Sequence, residues 1–138
     1  MVEIAIEYLG ELRCQATHGP SGTKVLTDAP VDNMGRGESF SPTDLVATAL
    51  GTCMLTIMGI VAQRDGIDLA GTRVKVTKEM VVAPLRRIGR LTLEFHVPAQ
   101  LSEADQNKLQ KAALTCPVHK SLHPEVEIPV EFHFGSQK

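Results

Sequence analysis

The chain has 138 residues, is 43% hydrophobic and carries a formal net charge of −2. This length predicts one domain over residues 1–138, because two ordinary domains need a longer chain. Sixteen acidic and fourteen basic residues without a basic cluster exclude nucleic acid as an expected partner. The first ten residues carry acids where a signal peptide carries basic residues, which argues against export. Three cysteines, an odd number, argue against a framework of structural disulfides. We therefore expect a cytoplasmic protein with reduced thiols.

The first forty residues predict an antiparallel meander followed by a loop. The segments VEIAIEYL and LRCQAT alternate apolar and polar residues, and HGPSG has the composition of a turn before the strand TKVLT. Residues 29–40, APVDNMGRGESF, show no apolar period, which predicts a long surface loop.

A long apolar helix is predicted within residues 41–66, with Cys53 in its middle. Ser41 occupies the cap position, Pro42 the first turn, and Asp44 the third position, from which a carboxylate reaches back to the cap N–H. Thr and Gly interrupt the apolar stretch, so we expect it to fall short of a membrane span and predict no membrane partner.

The second half repeats the order of strands followed by helix. Two alternating strands, GTRVKVTKEMVVA and RIGRLTLEFHVP, precede a helix capped by Ser102, a short helix that starts at Pro117 and a final strand, VEIPVEFHF. Two central helices, one almost wholly apolar, leave more apolar surface than these strands cover. The sequence thus predicts an α+β fold, with antiparallel sheets around two long central helices in a symmetric homodimer.

Few residues in the chain carry reactive chemistry. There is no Gly-rich phosphate loop, no G-x-S-x-G, no H-E-x-x-H and no C-x-x-C. The remaining candidates are two cysteines, Cys53 and Cys116. Cys116 directly precedes Pro117 at the start of the short helix, where backbone N–H groups and the helix dipole predict a lowered thiol pKa.

Cys116 also begins the pattern C-x-x-H-x-x-x-H with His119 and His123. Zinc uses such residues, but three ligands from one short helix rarely converge on one ion. We therefore predict no metal and no cofactor. Instead, His119 is expected either to hydrogen-bond the Cys116 thiol or to face solvent. Cys14 follows Arg13 on an alternating strand, so the two side chains point to opposite faces and Cys14 is expected to be an ordinary thiol.

The segments SPTDLVATALGTC and TCPVHKSL, in this order and spacing, resemble the OsmC/Ohr family of thiol-dependent hydroperoxide reductases. The resemblance spans the whole chain and implies an OsmC-like intertwined homodimer. It implies that Cys53 is the peroxidatic nucleophile and that Cys116 resolves it as a disulfide. The implied substrates are organic hydroperoxides, with hydrogen peroxide as an alternative substrate, a dithiol as reductant and no cofactor.

The family also implies an arginine from the N-terminal strands beside the first cysteine, held by a carboxylate. Arg13 stands where that arginine is expected, with Arg36 as the alternative. The hydroperoxide-resistance branch places a Glu directly after the helix proline, and here that residue is Thr43. Either Asp44 or Glu38 is then the replacement, and Asp44 is alternatively only the capping carboxylate.

Two functions of different classes fit these residues. The first is a dimeric two-cysteine peroxidase that acts on organic hydroperoxides. The second is a non-catalytic OsmC-like dimer that binds a small hydrophobic ligand in its apolar interface pocket.

Overall fold

The computed structural model describes residues 1–135. The chain divides into two compact units, one of residues 1–46 and one from residue 47 onward. The single domain expected over residues 1–138 therefore stays a prediction.

The first unit contains a three-stranded antiparallel sheet in the order β1-β2-β3. Its strands are β1 (Ile4–Gly10), β2 (Arg13–His18) and β3 (Lys24–Asp28). They reproduce the predicted meander to within two residues. The loop that follows contains one short 3-10 turn at Val31–Asn33.

Both longer helices begin where their capping residues predicted. Helix α1 is Pro42–Arg64; the Ser41 N–H donates to Asp44 Oδ2 at 2.9 Å and the Asp44 N–H donates to Ser41 Oγ at 3.1 Å. This reciprocal pair satisfies two N–H groups that a helix start leaves unpaired. Helix α2 is Glu103–Ala113, and Ser102 Oγ accepts the Asp105 N–H at 3.1 Å.

The second unit contains a three-stranded sheet in the order β4-β5-β6. Its elements, besides most of α1, are β4 (Arg73–Val81), β5 (Arg87–Val97), α2, α3 (Pro117–Ser121) and β6 (Val130–Phe134). The α+β class is confirmed. The sheet is not wholly antiparallel as expected, because β6 pairs with β5 in parallel. The α2–α3 connection makes this possible, since it carries the chain back to the starting edge of the sheet.

The core of the second unit lies between α1, α2 and one face of the sheet. Leu91, Leu93, Phe95 and Val97 alternate along β5 and are fully buried. Helix α1 approaches this sheet closely at Gly51, where an added Cβ would lie 2.8 Å from Val76 Cγ2. The other buried apolar side chains come from the helices and the residue before α3: Ala47, Leu50, Met54, Met58, Ala62, Leu109, Ala113 and Cys116.

Helix α1 corrects one expectation from the sequence. Its most apolar 18-residue window has a mean hydropathy of 2.1, so α1 is long and apolar enough to cross a membrane by length and composition. The expectation that Thr and Gly make it too short is therefore wrong. The core helix of a soluble protein passes the same test, and a third of this window is buried inside the described chain.

Candidate functional site

The second unit brings the two predicted cysteines together. Cys53 lies in the middle of α1, half-buried against the core, and Cys116 is fully buried at the cap of α3. Both are free thiols that belong to the same packed core, and the Cys53 side chain is close enough to Cys116 to raise the pKa of its thiol. A disulfide between them needs Cα atoms within about 7 Å of each other and Cβ atoms that face each other, so the Cys53–Cys116 disulfide stays a prediction.

Cys116 caps α3 as the sequence predicted, but its pKa shifts the other way. Its Sγ accepts the His119 backbone N–H at 3.2 Å. Burial raises the pKa of the Cys116 thiol above its ordinary value, and the neighbouring Cys53 thiol raises it further. The backbone N–H groups of His119 and Val118 act in the opposite direction and are outweighed. The predicted lowering of the pKa is therefore wrong, because burial destabilises the thiolate more than the N–H groups at the helix start stabilise it.

His119 and His123 are not gathered with Cys116 into a metal site. His119 contacts the thiol through its backbone N–H, and His123 Nδ1 accepts the Glu125 N–H at 3.1 Å. Among the described residues, the converging group of metal-ligand side chains lies elsewhere, on the second sheet.

The first unit holds a cluster of Arg13, Asp28 and Glu38, which we call the arginine cluster. Arg13 and Asp28 are directly opposite each other in the β2–β3 pair. Arg13 Nη2 donates to Glu38 Oε1 at 2.9 Å and lies 3.5 Å from Asp28 Oδ2. Asp28 is only 1% exposed, and its Oδ2 accepts the Glu38 backbone N–H at 3.1 Å.

Asp28 is kept ionised by these contacts. The backbone N–H of Glu38, aided by the Arg13 guanidinium, holds the pKa of Asp28 below its usual value against the opposing effect of burial. Arg13 Nε and Asp28 Oδ1 remain buried with no hydrogen-bond partner in the described part of the chain. Buried polar atoms without a partner are uncommon in folded proteins, so these two atoms distinguish the arginine cluster from an ordinary surface ion pair.

The structure narrows the alternatives for the arginine and its carboxylate. Arg36 forms an ion pair of 2.6 Å with Glu11 in which both side chains are exposed, so Arg13 is the arginine with a buried carboxylate partner. Glu38 contacts Arg13, and Asp44 is seen in the capping role. A catalytic role for Asp44 stays a prediction. The sequence did not indicate Asp28, because a carboxylate at a strand end is typical of an ordinary turn.

Cys14 lies half-buried in the first sheet, between Tyr8 of β1 and Thr27 of β3. Its expected role as an ordinary strand thiol stays a prediction. Thr43, at the position of the family Glu, lies in the first turn of α1.

The sequence profile for OsmC-like proteins matches residues 35–131. This chain belongs to the OsmC family. A candidate osmotic stress induced and detoxification response protein from Psychrobacter arcticus is 46% identical, with a TM-score of 0.91 and 96% of each chain covered. No curated protein matches the chain.

Two solved structures of lower identity share the fold. An organic hydroperoxide resistance protein OsmC from Legionella pneumophila is 16% identical, with a TM-score of 0.76 and 96% of each chain covered. The organic hydroperoxide resistance protein OhrB of Bacillus subtilis is also 16% identical, with a TM-score of 0.68, covering 96% of this chain and 98% of its own. OsmC-like proteins are soluble, and one apolar helix such as α1 is weak evidence for a membrane span.

Proposed function

We propose that this OsmC-family protein is a cysteine-based peroxidase that reduces organic hydroperoxides to alcohols, with hydrogen peroxide as an alternative substrate. The observation that carries the proposal is that two free thiols, Cys53 and Cys116, belong to the same packed apolar core. Two structures with this fold are named organic hydroperoxide resistance proteins.

The proposed cycle has three steps. The Cys53 thiolate attacks the O–O bond of the hydroperoxide. One oxygen stays on Cys53, which becomes a sulfenic acid, and the other leaves with the organic group, takes up a proton and becomes the alcohol. The Cys116 thiol then displaces the sulfenic oxygen as water and forms a Cys53–Cys116 disulfide. A dithiol reductant restores both thiols by exchange.

The order of the two thiols is supported by their burial. Cys53 is partly exposed and Cys116 is fully buried, so a substrate has access to Cys53 first. The raised pKa of Cys116 also leaves less of it as thiolate near neutral pH, which disfavours it as the first nucleophile. A buried thiol is suited to the second step, in which its partner is the adjacent sulfenic acid.

We propose from the family resemblance that Arg13 supports the Cys53 thiolate. The buried, unpartnered Nε of Arg13 is consistent with this role, because it is a donor with no acceptor in the described chain. Glu38 is then the carboxylate that orients Arg13, in place of the family Glu that is absent at Thr43. Asp44 remains a second candidate for that role.

We propose that the protein is a homodimer in the cytoplasm. Ile4, Ile6 and Tyr8 lie on one face of the edge strand β1 and are 57%, 68% and 63% exposed. An apolar edge strand left in water favours self-association, and a second copy of the chain covers it by symmetry. Reduced thiols fit a cytoplasmic location.

The test is hydroperoxide consumption by the reduced protein in the presence of dithiothreitol. We expect the wild type to consume cumene hydroperoxide much faster than Cys53→Ser, whereas Cys14→Ser, the matched control, keeps the wild-type rate. A wild type no faster than Cys53→Ser would end the peroxidase proposal and would favour the non-catalytic dimer that binds a small hydrophobic ligand.

A further inference from the structure

The tripeptide Glu-Phe-His occurs twice, at residues 94–96 in β5 and 131–133 in β6. The two copies are in register in the parallel pair, so that Glu faces Glu, Phe faces Phe and His faces His. The Phe95 and Phe132 rings stack with their centroids 4.8 Å apart, and Phe95 is fully buried in the core. Because side chains alternate along a strand, the two Glu–His pairs share the opposite face of the sheet.

Three of these four side chains converge. His96 Nε2 lies 3.1 Å from Glu94 Oε1, and His133 Nε2 lies 3.9 Å from Glu94 Oε2. The two imidazole rings stack at a centroid distance of 4.8 Å and an interplanar angle of 11°. One potential ligand atom from each of Glu94, His96 and His133 lies within 4.8 Å of the other two.

The surroundings leave room for a ligand. A groove of about 420 Å³ borders the group and is lined by Arg73, Val74, Lys75, Glu94 and His96. His96 Nδ1 is buried and has no hydrogen-bond partner in the described chain. The hydrogen bonds within the cluster therefore do not satisfy both nitrogens of His96.

We propose that Glu94, His96 and His133 bind one divalent transition metal ion of the zinc type, outside the cysteine pair. Two imidazoles and a carboxylate are ligands that zinc, cobalt and nickel share. Zinc holds such ligands at about 2.0–2.2 Å, which separates neighbouring tetrahedral ligand atoms by about 3.3 Å. The separations of 3.1 Å to Glu94 Oε1 and 3.9 Å to Glu94 Oε2 lie on either side of that spacing, and the three ligand atoms lie within 4.8 Å of one another, so rotation of these side chains brings them to one ion. Glu131, whose Oε1 lies 2.6 Å from His133 Nε2, is the nearest source of a fourth ligand.

Lys75 is the cation with which a metal would compete. Its Nζ lies 3.8 Å from Glu94 Oε1, and its side chain is 75% exposed, so it is able to swing away into water. Removing its charge leaves Glu94, His96 and His133 in place and removes a repulsion of the ion. Lys75→Gln is therefore expected to bind the metal more tightly.

The test is calorimetric titration of zinc into the reduced protein at pH 7.5. We expect the double variant His96→Gln/His133→Gln to bind one equivalent fewer than the wild type, while His119→Gln/His123→Gln matches the wild type. All three cysteines remain in both variants, so any zinc held by thiols is common to them. Equal zinc binding by the wild type and the first double variant would overturn the proposal.

Two further measurements extend the test, and the first of them does not use the double variant. Lys75→Gln should bind zinc more tightly than the wild type, and an unchanged or lower affinity would contradict the assigned ligands. Zinc should also raise the melting temperature of the wild type, since the ion binds the folded chain and joins β5 to β6. This shift should be absent from His96→Gln/His133→Gln, and an equal shift there would refute the site.

Discussion

Replacement of Cys116 by Ala or by Ser should separate its role as helix cap from its role as thiol. In Cys116→Ala the His119 N–H loses its acceptor at 3.2 Å inside the protein. Losing a cap costs about 1 kcal/mol, and losing the buried sulfur about 1 kcal/mol more, so the free energy of unfolding should fall by about 2 kcal/mol. Serine is a preferred cap residue and restores the acceptor, so Cys116→Ser should lose less than about 1 kcal/mol.

The assay is urea denaturation of the reduced proteins followed by circular dichroism. Cys14→Ala is the matched control, because that thiol is half-buried on a strand and caps no helix. Cys116→Ala as stable as the wild type would refute the capping energy. Cys116→Ser destabilised more than Cys116→Ala would show that burial of the hydroxyl outweighs the hydrogen bond.

Three other predictions concern the first unit. Because the pKa of Asp28 is depressed in the folded chain, its stabilisation is complete above the unfolded value of about 3.9 and is lost as pH falls through the folded value. The melting temperature of Asp28→Asn should accordingly change less between pH 7 and pH 3 than that of the wild type, and an equal change would contradict this. Glu38→Gln weakens a charged hydrogen bond to Arg13. It should slow Cys53 oxidation, measured by stopped flow, about tenfold, which corresponds to an increase of about 1.4 kcal/mol in the activation free energy. An unchanged rate would show that Glu38 is not part of the site. Ile6→Glu places a charge on the exposed face of β1 and should convert the dimer to a monomer in light scattering, whereas a wild type that is already monomeric would refute the dimer.

Local patterns predicted the elements of this fold well. The starts of α1 and α2 followed from Ser41 and Ser102, because capping depends on residues three positions apart. The strands followed from their alternation. The parallel direction of β6 was missed, because strand pairing depends on how the intervening helices return the chain, which no local pattern encodes.

The candidate site was predicted less completely. The resemblance indicated Cys53 and Cys116, and the structure places them together. The sign of the Cys116 pKa shift was missed, because it depends on burial by residues distant in sequence. Asp28 was missed for a similar reason, since its contact with Arg13 follows from the β2–β3 register. The repeated Glu-Phe-His tripeptide is visible in the sequence, but only the parallel register brings its side chains together.

The most direct test of the two-cysteine mechanism is mass spectrometry of reduced Cys116→Ser after one equivalent of cumene hydroperoxide. Without its resolving thiol, the variant should react once and accumulate a Cys53 sulfenic acid that dimedone traps, and excess hydroperoxide should oxidise it further. Cys53→Ser should give no trapped product. An unmodified Cys53 in the Cys116→Ser variant would contradict the assignment of Cys53 as the attacking thiol.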